Sequence, residues 1–393
     1  MLAKKKALIK KKANLKILYL LGLLLGVSSA LPAYIQSSSL ERFVDVKMVG
    51  LFFLLANALA VSTILFFPRA IKKIGNYATT RINIILYITS LFGLALSSGP
   101  IISFLSLILL TVSSNLIWIN MDVLVESFSS DASTGETRTI YFTFINAGWI
   151  LAPALSAYLV RVGGFSLSFL AAGLIAIPFC LIFLFAGQKL KDNIHYQKGS
   201  TITLIKRMWR SHNLRGIFMI SLLLQIFYSS AVVYVPLHLI QNLHMNWSDL
   251  GLIFSLMLLP FIILEIPAGI IADKYIGEKE MLFTGIIILI LSTFLFFYIE
   301  SASIIIWGTV LFISRIGAAL IEAMKETYFF KIIDAEDVGY INIFRTTAPL
   351  GYIIGSIMAI ATLFFLPLQY LFLCLSILMI SGLFFTASIK DTK

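Results

Sequence analysis

Long apolar runs separated by short polar joints occupy this chain from end to end. They lie near residues 15–36, 47–68, 81–98, 101–125, 139–160, 165–187, 214–240, 248–272, 281–299, 303–330, 339–362 and 367–388. About 20 apolar residues in a helix cross the hydrocarbon of a bilayer. The pattern therefore predicts twelve transmembrane helices. The runs are too long for membrane β-strands and lack their period-two alternation.

The second six runs echo the first at an offset of 196 residues: Glu126 falls on Glu322, Asn146 on Asn342, and Ala152-Pro153 on Ala348-Pro349. Such a repeat predicts an all-α membrane protein of two pseudo-symmetric six-helix bundles, with a site between matched halves. The bundles are placed at 1–187 and 214–393. Residues 188–213 join them as a hydrophilic linker, in which Ile202, Leu204, Ile205, Met208 and Trp209 alternate with basic residues as in a helix lying on a membrane surface.

Composition agrees with burial in lipid: 59% of residues are hydrophobic, 12% are charged, and the mean hydropathy is +0.96. The net charge of +11 raises the question of nucleic acid, but its distribution answers it. Of the 30 Lys and Arg, only Arg42, Lys47 and Arg161 fall in loops of one side, and Arg315, Lys325 and Arg345 fall within spans. The others gather on the opposite side, the positive-inside pattern. It predicts a plasma-membrane protein with both termini cytoplasmic and no nucleic-acid partner, its basic start near lipid headgroups. That start, Lys4-Lys5-Lys6 to Lys16 before an apolar run, has the look of a signal peptide, but the run is long for one and cleavage would unpair the halves. Cys180 and Cys374 lie inside apolar runs and are expected to pack rather than bridge.

One loop carries a recognisable motif. Segment 8 runs into its following loop as Glu265-Ile-Pro-Ala-Gly269-Ile-Ile-Ala-Asp273-Lys274-Tyr-Ile-Gly277. This resembles the signature loop of the major facilitator superfamily, and its lead-in resembles that of bacterial drug-efflux members. Gly269 permits a close helix approach, Asp273 presents an anion near a helix end, and Gly277 permits a tight turn. The matching loop between segments 2 and 3 keeps Gly75 but carries Arg69 where the family has an acid. The reversal suggests a lock in which Arg69 and Lys72 face Asp334, Glu336 and Asp337; those acids equally suit a helix start. Segment 5, with Asn146, Gly148, Trp149 and Pro153, partly resembles the fifth helix of antiporters. The resemblance implies a monomeric transporter whose segments 1, 4, 7 and 10 line the path.

On those segments the polar residues stand out. An ionisable group at bilayer depth costs about 2.5–3.5 kcal/mol on insertion scales, so it must pair, protonate or meet water. Asn115, Trp118 and Asp122 share one face of segment 4, with Glu126 a turn beyond. Segment 10 offers Arg315 and Glu322 seven apart, followed by Lys325 and Glu326; segment 7 offers Gln225 and Tyr228; segment 11 offers Arg345. Asp122, Glu322, Arg315, Asn115, Trp118, Gln225, Tyr228, Asn146 and Arg345 are the candidate substrate and proton-coupling residues. Glu322 is the first choice for the proton, and an arrangement of Arg315 and Glu322 facing Asp122 is expected; static salt bridges are the competing reading. Glu265, Gly269, Asp273, Lys274, Gly277, Arg69 and Gly75 are the candidate gating residues.

The sequence holds no phosphate-binding glycine loop, no metal-ligand spacing among His195, His212, His238 and His244, and no nucleophile elbow. No enzyme, cofactor or metal site is expected. The function expected is alternating-access transport of a small molecule, with proton-coupled efflux of an amphipathic compound preferred. Uptake or facilitated diffusion of a sugar, peptide or organic anion is the alternative, and a lipid flippase or non-transporting receptor a third.

Overall fold

The computed structural model describes residues 2–128, 134–186, 201–333 and 338–390. Every regular element among them is helical. Eleven of these helical stretches are long and apolar enough to cross a membrane. One of them, Ile140–Ala186, is 47 residues, roughly 70 Å at 1.5 Å per residue, or about twice the hydrocarbon thickness. Its helix, Thr134–Ala186, breaks at Gly163 (φ −141°, ψ 20°) and Gly164 (φ 70°, ψ −175°). Two successive glycines turn the chain there, and the stretch supplies both the fifth and the sixth predicted span. The exterior is apolar, with Leu151, Phe185, Ile305, Phe365 and Ile377 all exposed. Lipid suits that surface and water does not.

The chain divides into two compact units, Met1–Ile35 with Ser62–Tyr196, and Gln36–Val61 with Gln197–Lys393. Helix Val46–Ile74 thus contributes its first part to the second unit and the rest to the first. In the first unit, helix Leu2–Ala33 runs against Thr134–Ala186. Gly26 and Gly148 make that approach possible: a Cβ on Gly148 would stand 2.7 Å from the Val27 nitrogen, and one on Gly26 2.7 Å from the Ile145 oxygen. Backbones touch here, as small residues allow between membrane helices.

In the second unit, helices Glu278–Tyr298 and Ile304–Ile332 pack together, and His212–Ser229 packs against Thr347–Phe365. Segment 36–61 joins this unit through Phe53, whose ring stacks on Tyr352 with centroids 6.4 Å apart. Where the seventh span continues beyond Ser229, it passes through two π-helical turns, Ser230–Tyr234 and His238–Asn242. The 188–213 linker contains a helix, Thr201–Arg210, with Ile205 and Trp209 exposed and Met208 buried; residues 187–200 lie outside those described.

Candidate functional site

The loops that open the third and ninth spans share one backbone device. Gly75 has φ 84° and ψ 156°, and Gly277 has φ 102° and ψ 160°. Only glycine adopts that region readily, so the turn expected at Gly277 recurs at Gly75 although little else in the two loops matches. In each, the next residue is a buried polar one that ties its helix to the following helix. Asn76 donates from Nδ2 to the Asn120 carbonyl at 3.2 Å. Glu278, 2% exposed, pairs with Lys331. Gly269 lies in helix Glu265–Ile271, and a π-helical turn over Ala272–Ile276 carries the chain to Gly277. The side chains of Glu265, Asp273 and Lys274 lie outside those described, as do Asp334, Glu336 and Asp337. Arg69 is exposed, its guanidinium carbon 5.1 Å from the Phe66 ring centre; Lys72 is exposed as well.

In the first unit, helix Pro100–Phe128 presents Asn115, Trp118 and Asp122 on one face, all half-buried. Asn115 turns inward on its own helix, donating to the Thr111 carbonyl at 2.8 Å. Asn146 is half-buried on Thr134–Ala186. The side chain of Glu126 lies outside those described. A stronger polar cluster sits beside these residues and escaped the sequence reading. Asn120, fully buried, accepts from Asn83 Nδ2 at 3.0 Å and donates to Asn76 Oδ1 and, at 3.1 Å, to Thr79 Oγ1. Both its amide nitrogen and its side-chain oxygen are used, as a buried amide requires. The signal was present in Asn76 and Asn83, seven residues apart on one face of an apolar helix.

The charged residues of the second unit gather along helix Ile304–Ile332. Lys325, only 2% exposed, lies 3.0 Å from Glu322 Oε1 and 3.6 Å from Glu326 Oε1. Tyr228, from helix His212–Ser229, donates its hydroxyl to Glu322 Oε2 at 3.2 Å. Arg345, from Val338–Arg345, grips Glu326 with both arms of its guanidinium at 2.7 and 3.1 Å. Two carboxylates and two cations thus alternate as Glu322, Lys325, Glu326 and Arg345, and their charges cancel. Sequence spacing showed only that Lys325 and Glu326 follow Glu322 on the same segment. The structure makes them the centre of the network, and it places Arg345 on Glu326. Gln225 packs against Gly351, at which a Cβ would stand 2.4 Å from its own Cβ.

Arg315 stands apart from this network. It is 1% exposed, and none of Nε, Nη1 and Nη2 has a hydrogen-bond partner among the described residues. It forms no pair with Glu322, seven residues and roughly 10 Å of helix rise away. Its guanidinium carbon instead lies over two rings of helix His212–Ser229, 5.1 Å from the Phe227 centre and 5.9 Å from the Tyr228 centre. Ala318 and Ala319, one turn on, are fully buried. Among the described residues no group of three His, Cys, Asp or Glu is placed to hold a metal ion.

Membrane-length helices, a glycine turn repeated between two units and buried charge at span depth define a polytopic membrane protein of the transporter type. The sequence profile of the Major Facilitator Superfamily matches residues 104–336 and, in an overlapping second match, 217–392. The chain belongs to that superfamily. A crystal structure of an auto-inhibited POT family peptide transporter is similar over 97% of this chain and 98% of its own, with a TM-score of 0.76 at 12% identity. At that identity the likeness speaks for the fold alone. No curated protein matches the sequence. Family and fold make this a membrane transporter and not an enzyme.

Proposed function

We propose that the chain is a proton-coupled secondary transporter working by alternating access between two six-helix bundles, joined by the 188–213 linker. Both termini would lie in the cytoplasm and the chain would act as a monomer in the plasma membrane. The observation that carries the proton reading is the position of Glu322. It is 28% exposed and shares Lys325 with a second carboxylate, Glu326. A proton arriving on Glu322 cancels its charge and leaves Lys325 to Glu326 alone. Glu326 in turn holds Arg345 on another helix, so one protonation event is connected to a helix–helix contact.

Efflux of an amphipathic compound is the direction favoured by the partial antiporter resemblance of the fifth span. Uptake of a peptide or organic anion is the second reading. It draws on the unmatched charge of Arg315 and on the peptide-transporter description of the similar structure.

The test uses proteoliposomes loaded with the pH dye pyranine and given ethidium, dialanine, glucose or succinate. Wild type should move protons together with at least one of them. Glu322→Gln should lose gradient-driven accumulation while retaining exchange of labelled for unlabelled substrate across equal pH. Full gradient-driven accumulation by Glu322→Gln sinks the assignment of the proton to this residue.

A further inference from the structure

The geometry points to Arg315 as the receptor for an oxyanion, a carboxylate or phosphate, carried by the transported molecule beside an apolar or aromatic body. The inference rests on the transporter reading above and adds the substrate class.

Burying an ion is costly unless it is paired and hydrogen-bonded, and an arginine keeps its charge rather than shedding it. Every described carboxylate on this face of helix Ile304–Ile332 is already committed, Glu322 to Lys325 and Tyr228, and Glu326 to Arg345 and Lys325. Among the described residues of helix Ile304–Ile332, Arg315 is the buried cation whose N–H groups go unanswered.

The rings of Phe227 and Tyr228 offset part of that cost, since the negative face of an aromatic ring attracts a desolvated cation. They attract the charge but accept no hydrogen bond from the in-plane N–H edges. Those edges form a fork that matches a carboxylate or phosphate in two-point contact. Arg345 shows the same chemistry already satisfied inside the protein, by Glu326. The Arg315 side chain is covered in this conformation, and a ligand reaches it when helices His212–Ser229 and Ile304–Ile332, neighbours within one unit, part locally. Tyr228 then joins the two functions, its ring against Arg315 and its hydroxyl on Glu322.

The test is titration of the purified full-length chain, read by thermal shift and intrinsic fluorescence. The probes are matched pairs at millimolar concentration: 3-phenylpropionate with its amide, alanyl-phenylalanine with its C-terminal amide, and phenyl phosphate with phenol. Wild type should be stabilised by an acidic member and not by its neutral twin. A carboxylate response with phosphate silent assigns the group one way, and the converse assigns it the other. Arg315→Met should weaken the acidic probe by about thirtyfold or more and erase the preference. Its ligand-free melting temperature should match or exceed that of wild type, because an unpaired buried charge has gone. Arg315→Lys, which keeps charge without the fork, should fall between.

Equal shifts from acid and neutral twin, no shift from any probe, or an acid preference that survives in Arg315→Met would each overturn the proposal. Flux separates this inference from the reading beneath it. Arg315-dependent acid binding without flux in vesicles keeps the anion site and sinks the transport reading. Flux without acid preference does the reverse.

Discussion

Each unit buries a polar cluster in its apolar interior, and the two clusters are built on opposite terms. Around Asn120 the groups are neutral, and its donors and acceptors are answered by Asn76, Thr79 and Asn83. Around Lys325 the groups are charged, the acids stay partly exposed, and Arg315 is left unanswered nearby. A satisfied amide network holds two helices in register and has no second state to go to. In the proposed mechanism, a chain of alternating charges re-pairs when a proton or an anion arrives. Under the proposed function, the first cluster would do scaffold work and the second would switch.

The sharpest way to break the comparison is to remove its central cation. Lys325→Met leaves Glu322 and Glu326 facing each other without the charge between them. Losing one partner of a buried pair costs roughly 3–5 kcal/mol, so the melting temperature of the detergent-solubilised protein should fall steeply. Glu322→Gln added to Lys325→Met should recover part of the loss, since it removes the carboxylate left unpaired. If the double variant melts no higher than the single one, Lys325 acts through packing alone.

Asn120→Leu tests the other side. It removes the partners of Asn76 Oδ1 and Asn83 Nδ2, while Asn76 Nδ2 keeps the backbone carbonyl of residue 120, and each buried polar group left unsatisfied costs about 1–3 kcal/mol. Stability should fall, while any proton-driven flux that remains should keep the pH dependence of wild type. A changed pH profile in Asn120→Leu would mean that the neutral cluster takes part in switching after all.

The glycine turns ask whether the two units share a common element beneath these differences. Gly75→Ala and Gly277→Ala each force a Cβ into a region nearly closed to it, at a cost of order 1–3 kcal/mol. With φ and ψ so similar at the two positions, the two losses should agree within experimental error. A loss at Gly277 alone would show that only the motif-bearing loop depends on its backbone shape.

Much of this architecture was legible in the sequence, because a bilayer imposes a length and a polarity that composition cannot hide. The apolar runs marked the spans, the Gly163–Gly164 pair fell in the gap between runs five and six, and Gly277 announced its turn. The face shared by Asn115, Trp118 and Asp122 follows from helical periodicity. Partner choice did not follow from it. Periodicity placed Arg315 and Glu322 on one face but could not say that Glu322 would go to Lys325 and Tyr228. Nor could it bring Arg345 from another helix to Glu326, or Asn120 to Asn76. Those pairings depend on how neighbouring helices lie against each other, which close contacts such as Gln225 on Gly351 set in three dimensions.

The smallest expected effect comes from Tyr228, the residue that touches both Glu322 and Arg315. Tyr228→Phe removes one 3.2 Å hydrogen bond to a partly exposed carboxylate that Lys325 still holds. Its cost in stability should stay near about 1 kcal/mol or below. The ring over Arg315 remains, so an acidic probe should bind as it does to wild type. Tyr228→Leu removes ring and hydroxyl together and should weaken that probe as well, because Arg315 loses one of its two aromatic faces. Comparing the two variants by thermal shift, with and without 3-phenylpropionate, separates the hydroxyl from the ring. If both lose the probe equally, the contact that matters runs through Glu322 and the charged cluster is one indivisible switch. If only Tyr228→Leu loses it, anion recognition and the carboxylate network are separate parts that meet at a single side chain.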